Sequence, residues 1–178
     1  SGARSPHARL ASGAGMLSED RKGEGLAVSL SIAENLVLSR PGGFFVSEAR
    51  DARTAATWIE RLGVKSKSPL QKISELSGGN QQKVAIARLL HHEADVLLLD
   101  EPTRGIDVEA KAQVYELVDR EAAAGKAVLV VSSYLPELLG ICDRIHVMKR
   151  GELGPSHAAG DVDEHALLKE AAAALHLP

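Results

Sequence analysis

Between Leu76 and Asp107 the chain reads L-S-G-G-N-Q-Q-K-V-A-I-A-R-L-L-H-H-E-A-D-V-L-L-L-D-E-P-T-R-G-I-D, three devices in fixed order. The first is a turn, Ser77-Gly78-Gly79, in which two residues without Cβ let the backbone approach a ligand closely. Good helix formers follow at once and predict a helix over about Asn80 to Leu90. Such a start aims backbone N–H groups and the positive end of the helix dipole outward, an arrangement suited to a phosphate. The second device is the continuous apolar run Val96-Leu97-Leu98-Leu99, the pattern of a buried parallel strand. The third is Asp100-Glu101, two carboxylates just past that strand's C-terminal end, where open α/β sheets bind ligands. Pro102 and Gly105 then turn the chain toward another helix.

Each device alone is common, and a Ser-Gly-Gly turn is most often only a turn. In this order they resemble the ABC transporter ATPases: Leu76 to Asn80 the signature, Val96 to Glu101 the Walker B strand, Arg104 to Asp107 the D-loop. Upstream, Glu19-Asp20-Arg21-Lys22-Gly23-Glu24-Gly25-Leu26 followed by Ser31-Ile32-Ala33-Glu34-Asn35-Leu36 is similar to one subgroup. It resembles the second nucleotide-binding half of the double-cassette ATPases that serve bacterial ribose, galactose and xylose importers. On composition alone that charged stretch reads as a solvated loop.

A length of 178 residues suffices for one domain with a sizeable core. The net charge of −3 supplies no basic field for nucleic acid. A single cysteine, Cys142, rules out an internal disulfide framework and fits a reducing compartment. No apolar run reaches the length of a membrane span, so any membrane role comes through a partner.

In chain order, residues 1–15 show no period and read as a loose start. Ser31 and Glu34 form an N-capping box for a short helix. Pro41-Gly42-Gly43 breaks the chain, and Ser47 caps a helix to about Leu62, with Trp58 in its core. Gly63 to Pro69 is a loop leading into the signature. Beyond the D-loop, Asp107 or a neighbour caps a helix to about Ala124, ended by Gly125. Ala127 to Val131 is a second buried strand, followed by Ser132-Ser133, then a short helix from Tyr134 to Ile141. Arg144 to Met148 reads as a third strand, Arg150-Gly151-Glu152 as a turn, and 161–178 as an Ala- and Leu-rich helix. The alternation predicts an α/β fold with a mainly parallel sheet, which the resemblance narrows to an incomplete P-loop NTPase (ABC cassette) core plus a helical subdomain. The expected division is 1–30 as a remnant of the first lobe with the Q-loop region, 31–92 as the helical subdomain, 93–160 as the RecA-like core, and 161–178 as a C-terminal helix.

The resemblance also implies site roles. Glu101 would orient or deprotonate the attacking water, and Ser133 occupies the switch position. Asp100 would hold Mg²⁺ through water, and Glu19 stands where the Q-loop glutamine senses metal and nucleotide. Ser77, Gly78, Gly79, Asn80, Gln81 and Asp107 would contact ATP held by an opposing cassette in a head-to-tail dimer. The cofactors are then ATP and Mg²⁺; the partners are a second ABC cassette and membrane permease subunits at the inner face of the cell membrane. Association with another copy of this chain is a further expectation.

Two departures bear on catalysis. No G-x-x-x-x-G-K-[ST] occurs, so the glycine cradle, its lysine and the Mg²⁺-binding hydroxyl are missing from this chain, which reads as the later part of a cassette. Ser133, thirty-two residues after Glu101, replaces the usual switch histidine, and serine cannot titrate near neutrality. The sugar-importer subgroup typically shows this change. A degenerate cassette kept for dimerisation or regulation is the competing reading. An ABC-type ATPase of DNA repair is disfavoured, because no sustained heptads are present. The seven histidines lack zinc-like spacing and read as structural or surface residues.

Overall fold

The computed structural model describes residues 5–40 and 47–172. The expected break at Pro41–Gly43 and the end of the helix expected over 161–178 lie outside them. The chain divides after Val131 into two compact units.

The first unit is built on a three-stranded sheet. It opens with helix α1 (Pro6–Ala11) and strand β1 (Ala14–Leu17), where the sequence predicted only a loose start. Ala-Gly-Met-Leu carries neither β-branched residues nor alternation, so its strand character comes from pairing. β1 runs parallel to β2 (Val96–Asp100) with Leu17 opposite Leu99, and β2 runs parallel to β3 (Ala127–Val131) with Asp100 opposite Val131. The two apolar runs are therefore neighbouring parallel strands, as expected. Gly15 on β1 leaves room for the helix behind the sheet: a Cβ there would collide with the end of the Leu89 side chain and force it to move.

After β1 the charged stretch makes one wide helical turn, Arg21–Gly25, closed by Gly25 N–H donating to the Asp20 carbonyl at 2.9 Å. Helix α2 (Ile32–Val37) starts on the expected capping box: Ser31 Oγ accepts from Glu34 N–H, and Glu34 Oε2 accepts from Ser31 N–H at 2.7 Å. The Ser31 hydroxyl also donates to Glu34 Oε2 at 2.7 Å, and this bond first, then that from Ser31 N–H, holds the Glu34 carboxyl below its ordinary range. Helix α3 (Glu48–Leu62) ends at Gly63, whose φ of 58° is the left-handed C-cap that glycine adopts without penalty. Ser47 sits at its N-cap position without a side-chain capping bond. On α3, Arg61 lies 4.7 Å above the Trp58 ring, and Trp58 Nε1 donates to His91 Nδ1 at 3.4 Å, so Trp58 is spent on packing.

Helix α4 (Gly78–His91) begins two residues before the predicted start and is almost entirely buried. Ile32, Leu36 and Ile73 pack with Val84 of α4, Leu17 and Leu99 of the sheet and Val114 of helix α5 (Val108–Ala123) in one core. The boundaries expected at 30/31 and 92/93 fall inside this first unit.

The second unit holds α6 (Leu135–Ile141) and two antiparallel pairs. Strand β4 (Arg144–Ile145) pairs with β7 (His157–Ala158), and β5 (Met148–Lys149) with β6 (Glu152–Leu153). The single strand expected over Arg144–Met148 is thus broken, and its halves join no parallel sheet. His146 and Val147 leave the ladder to bond Gly154: His146 Nδ1 lies 3.0 Å from the Gly154 carbonyl, and Gly154 N–H donates to Val147. Arg150 and Gly151, both at positive φ, form the two-residue hairpin turn. Helix α7 (Glu164–Ala172) buries Leu167.

Candidate nucleotide site

The parallel register puts the ends of β1 and β2 side by side, so Glu19 and Asp100-Glu101 emerge at one edge of the sheet. Glu101 leaves the strand with φ of 45°, a left-handed conformation uncommon for a residue with a side chain. Its N–H donates to the Val131 carbonyl at 2.8 Å, which anchors this turn to β3. The buried Pro102 and Thr103 fix the chain just beyond. Glu19 forms an ion pair with Arg104 of the following loop. That pairing ties the two loops together and competes with a metal for the Glu19 carboxylate. The hard oxygens of Asp100 suit Mg²⁺ as one ligand among waters. Among the described residues no group of three or more His, Cys, Asp or Glu is placed to hold a metal.

The signature turn is built differently. Asp107 Oδ1 accepts from Ala110 N–H at 2.8 Å and caps α5, as expected. Gly79 lies against that cap: a Cβ there would stand 2.7 Å from the Ala110 Cβ and 3.8 Å from Asp107 Oδ2. Any side chain at Gly79 would wedge the turn away from α5. Ser77, Gly79, Asn80 and Asp107 thus line one small cleft of about 90 Å³, together with Lys65, Lys83 and Glu109. Glu19, Asp100 and Glu101 do not line it, so these two groups of expected site residues form separate half-sites.

Within the cleft, the side chains of α4's first turns grip the loop that precedes it. Asn80 Oδ1 accepts from Lys65 N–H at 2.7 Å, and Asn80 Nδ2 donates to Ser77 Oγ at 2.8 Å. Lys83 Nζ donates to the Gly63 carbonyl at 2.8 Å, placing an ammonium on the C-terminus of α3, where the helix dipole favours it. Burial, then the Lys65 charge, lowers the Lys83 pKa, while Glu109 and Asp107 oppose the shift. Gln81 is only 5% exposed and donates from Nε2 to the Ile73 and Leu76 carbonyls, so its side chain supports the loop.

Ser133 is exposed and opens the second compact unit after Ser132, whose hydroxyl donates to Glu137 at 2.8 Å. Sequence reasoning overlooked Lys65, Lys83 and Arg104 as members of these clusters. The lysines carried no signal, since one sits in an unpatterned loop and the other in a helix that reads only as a run of good helix formers. Arg104 lay in plain view inside the D-loop.

A model of the ABC transporter family matches residues 4–104, more than half of the chain. The chain belongs to the ABC transporter ATP-binding family. The ribose import ATP-binding protein RbsA of Burkholderia mallei is 44% identical over 153 residues, 83% of this chain and 30% of that protein. The L-arabinose transport ATP-binding protein AraG of Geobacillus stearothermophilus is 41% identical over 164 residues, 90% of this chain and 32% of that protein. This ABC chain therefore spans about a third of the length of these curated relatives. Among solved structures, the dimeric cassette MJ0796 in a post-hydrolysis state bound to ADP and Pi has a TM-score of 0.69 at 25% identity, covering 82% of this chain and 62% of that one. The α/β, P-loop NTPase character expected from the sequence is thus found in both sequence and structural relatives. No helix among the described residues is long and apolar enough to cross a membrane.

Proposed function

We propose that this ABC chain forms part of the ATP-hydrolysing subunit of a bacterial monosaccharide importer. The observation that carries the reading is the separation of its motif residues into two half-sites, the signature cleft and the Walker B edge. A residue set split in this way is completed by a second cassette placed head to tail. In each composite site, Ser77 and the backbone of Gly78 and Gly79 meet the γ-phosphate from one side, with Asp107 beside them. Asp100 supports hydrated Mg²⁺ and Glu101 positions the attacking water from the other. Mg²⁺ held there would supply charge neutralisation for the phosphates. The Glu19–Arg104 pair links the Q-loop position to the D-loop, and Ser133 fills the switch position with a hydroxyl that can donate a hydrogen bond but cannot titrate. Residues 31–92 serve as the helical arm that passes closure to permease subunits at the cytoplasmic face of the membrane.

The test is Glu101→Gln in the full-length gene product, which keeps the shape and removes the base. ATP turnover at the site holding this Walker B should fall by about two to four orders of magnitude, the usual worth of a positioned base. Unchanged hydrolysis at that site would make Glu101 structural and favour a non-catalytic cassette kept for dimerisation.

A further inference from the structure

We propose that Asn80 is a positioning residue: its side-chain amide holds the Ser77 hydroxyl oxygen as an acceptor, so that the hydroxyl hydrogen is left to donate to a bound phosphate. The inference rests on the nucleotide reading above and gives Asn80, expected from the sequence to contact ATP, a role that runs through Ser77.

Three observations carry it. A backbone N–H can only donate, so the atom of Asn80 facing Lys65 N–H at 2.7 Å is the amide oxygen. This fixes the amide's orientation without reference to its other end. The remaining end is therefore the NH₂ group, and it lies 2.8 Å from Ser77 Oγ. Because that amide group has no acceptor to offer, Ser77 Oγ must accept, and its own hydrogen must point elsewhere. Ser77 also occupies the N-cap position of α4 yet makes no side-chain capping bond. A serine in that position ordinarily spends its oxygen on the helix's own N–H groups; here the oxygen is held by Asn80 instead. Finally, the cleft that the turn lines carries the ammonium groups of Lys65 and Lys83, of which Lys65 lies 3.6 Å from Glu109. The carboxylates of Asp107 and Glu109 line the same cleft and balance these charges, so what the turn holds ready for an anion is a hydroxyl whose direction is already set. That is the pre-organisation that lowers the cost of binding.

A merely structural Asn80 would hold the Lys65 loop and do nothing more. Asn80→Asp separates the two roles, because a carboxylate keeps an acceptor for Lys65 N–H but removes the donor to Ser77. The Ser77 hydroxyl would then turn and donate to the introduced carboxylate. Asp in the first turn of a helix is tolerated by the dipole, so the fold should persist. Three variants are made in the full-length gene product: Asn80→Asp, Ser77→Ala and the two combined. ATP turnover is measured together with hydrogen exchange at the Lys65 amide. Asn80→Asp is expected to lower turnover at least tenfold with Lys65 protection retained. Ser77→Ala should lower it by a similar factor, and the combination should be no worse than either alone within about twofold. Asn80→Asp turning over like the wild type would overturn the proposal. So would multiplicative losses in the combination, which would mean that the new charge acts on the nucleotide by itself. Loss of Lys65 protection in Asn80→Asp would likewise overturn it in favour of a loop anchor. Wild-type turnover tests the nucleotide reading, whereas the differences among variants test Asn80, so the two failures are told apart.

Discussion

The two faces of the β1–β2–β3 sheet are written in nearly the same letters and meet opposite fates. Gly15, Leu17, Leu97, Leu99, Val128 and Val130 point to one face, where α4 and α5 cover them and Leu99 is 2% exposed. Met16, Val96, Leu98, Leu129 and Val131 point to the other, where Met16, Leu129 and Val131 are each more than half exposed. Strands of parallel sheets are normally covered on both faces, which is why they read as unbroken apolar runs. The runs VLLLD and AVLVV thus encode two covering layers, and the described residues provide one. Hydrophobicity in a sequence records what a surface is meant to meet, and it need not record what meets it within the same stretch of chain.

The largest test of this contrast compares one leucine from each face. Leu99→Ala should cost about 2–5 kcal/mol in urea unfolding, through lost transfer energy and a cavity that α4 and β3 cannot close. Leu129→Ala, on the open face, should stay within about 0.5 kcal/mol. Equal costs would mean that the second face is covered after all.

A second test treats the open face as a liability. β3 has a neighbour on one side only among the described residues, and its five residues carry no charge. Unpaired apolar edges and patches promote association. The isolated chain should therefore sediment as dimers or larger species, and Leu129→Lys with Val131→Lys should shift it to monomer. A clean wild-type monomer at high concentration would remove the open face as an interaction surface.

A smaller effect belongs to the covered side, at the cap of α2. Ser31→Ala should cost about 1 kcal/mol by removing one half of the capping box. The Glu34 carboxyl is held below its ordinary value of 4.5, so its contribution is complete above that value and disappears as pH falls through the depressed one. Glu34→Gln should flatten that acid limb of the stability curve while leaving β3 and its association untouched. An unchanged acid limb would show that other carboxylates dominate it.

Legibility followed the origin of each signal. α2 with its capping box, α5 with Asp107, and β2 and β3 were readable because caps and apolar runs are local. β1 was not, since Ala14–Leu17 becomes a strand only by pairing with β2 and by offering Gly15 to Leu89. β4 and β5 were merged because the break at His146 and Val147 is made by bonds to Gly154, eight residues away from His146. At the site, the motif positions were legible, but side-chain direction was not. Gln81 reads like Asn80 in sequence; the first faces the Ile73 and Leu76 carbonyls, and the second bridges Ser77 and Lys65.

The smallest expected effect is none, and it bears on both half-sites at once. Tight nucleotide binding in P-loop proteins rests on a glycine cradle and its lysine, whose motif this chain lacks. The signature cleft supplies Ser77 and two lysines, offset by the carboxylates of Asp107 and Glu109, and its volume of about 90 Å³ holds a phosphoryl group and no adenosine. At the other half-site, Asp100 and Glu101 repel a triphosphate unless Mg²⁺ lies between them. Millimolar Mg·ATP should accordingly leave the melting temperature of the isolated chain unchanged. A ligand at one hundred times its Kd adds about 2.7 kcal/mol, roughly 5–10 °C for a protein of this size, so a true site could not escape a melting curve. A cassette that carries the glycine cradle and its lysine should show such a shift. If the isolated chain gains several degrees, one half-site is complete by itself, and the division of labour between signature cleft and Walker B edge would have to be abandoned.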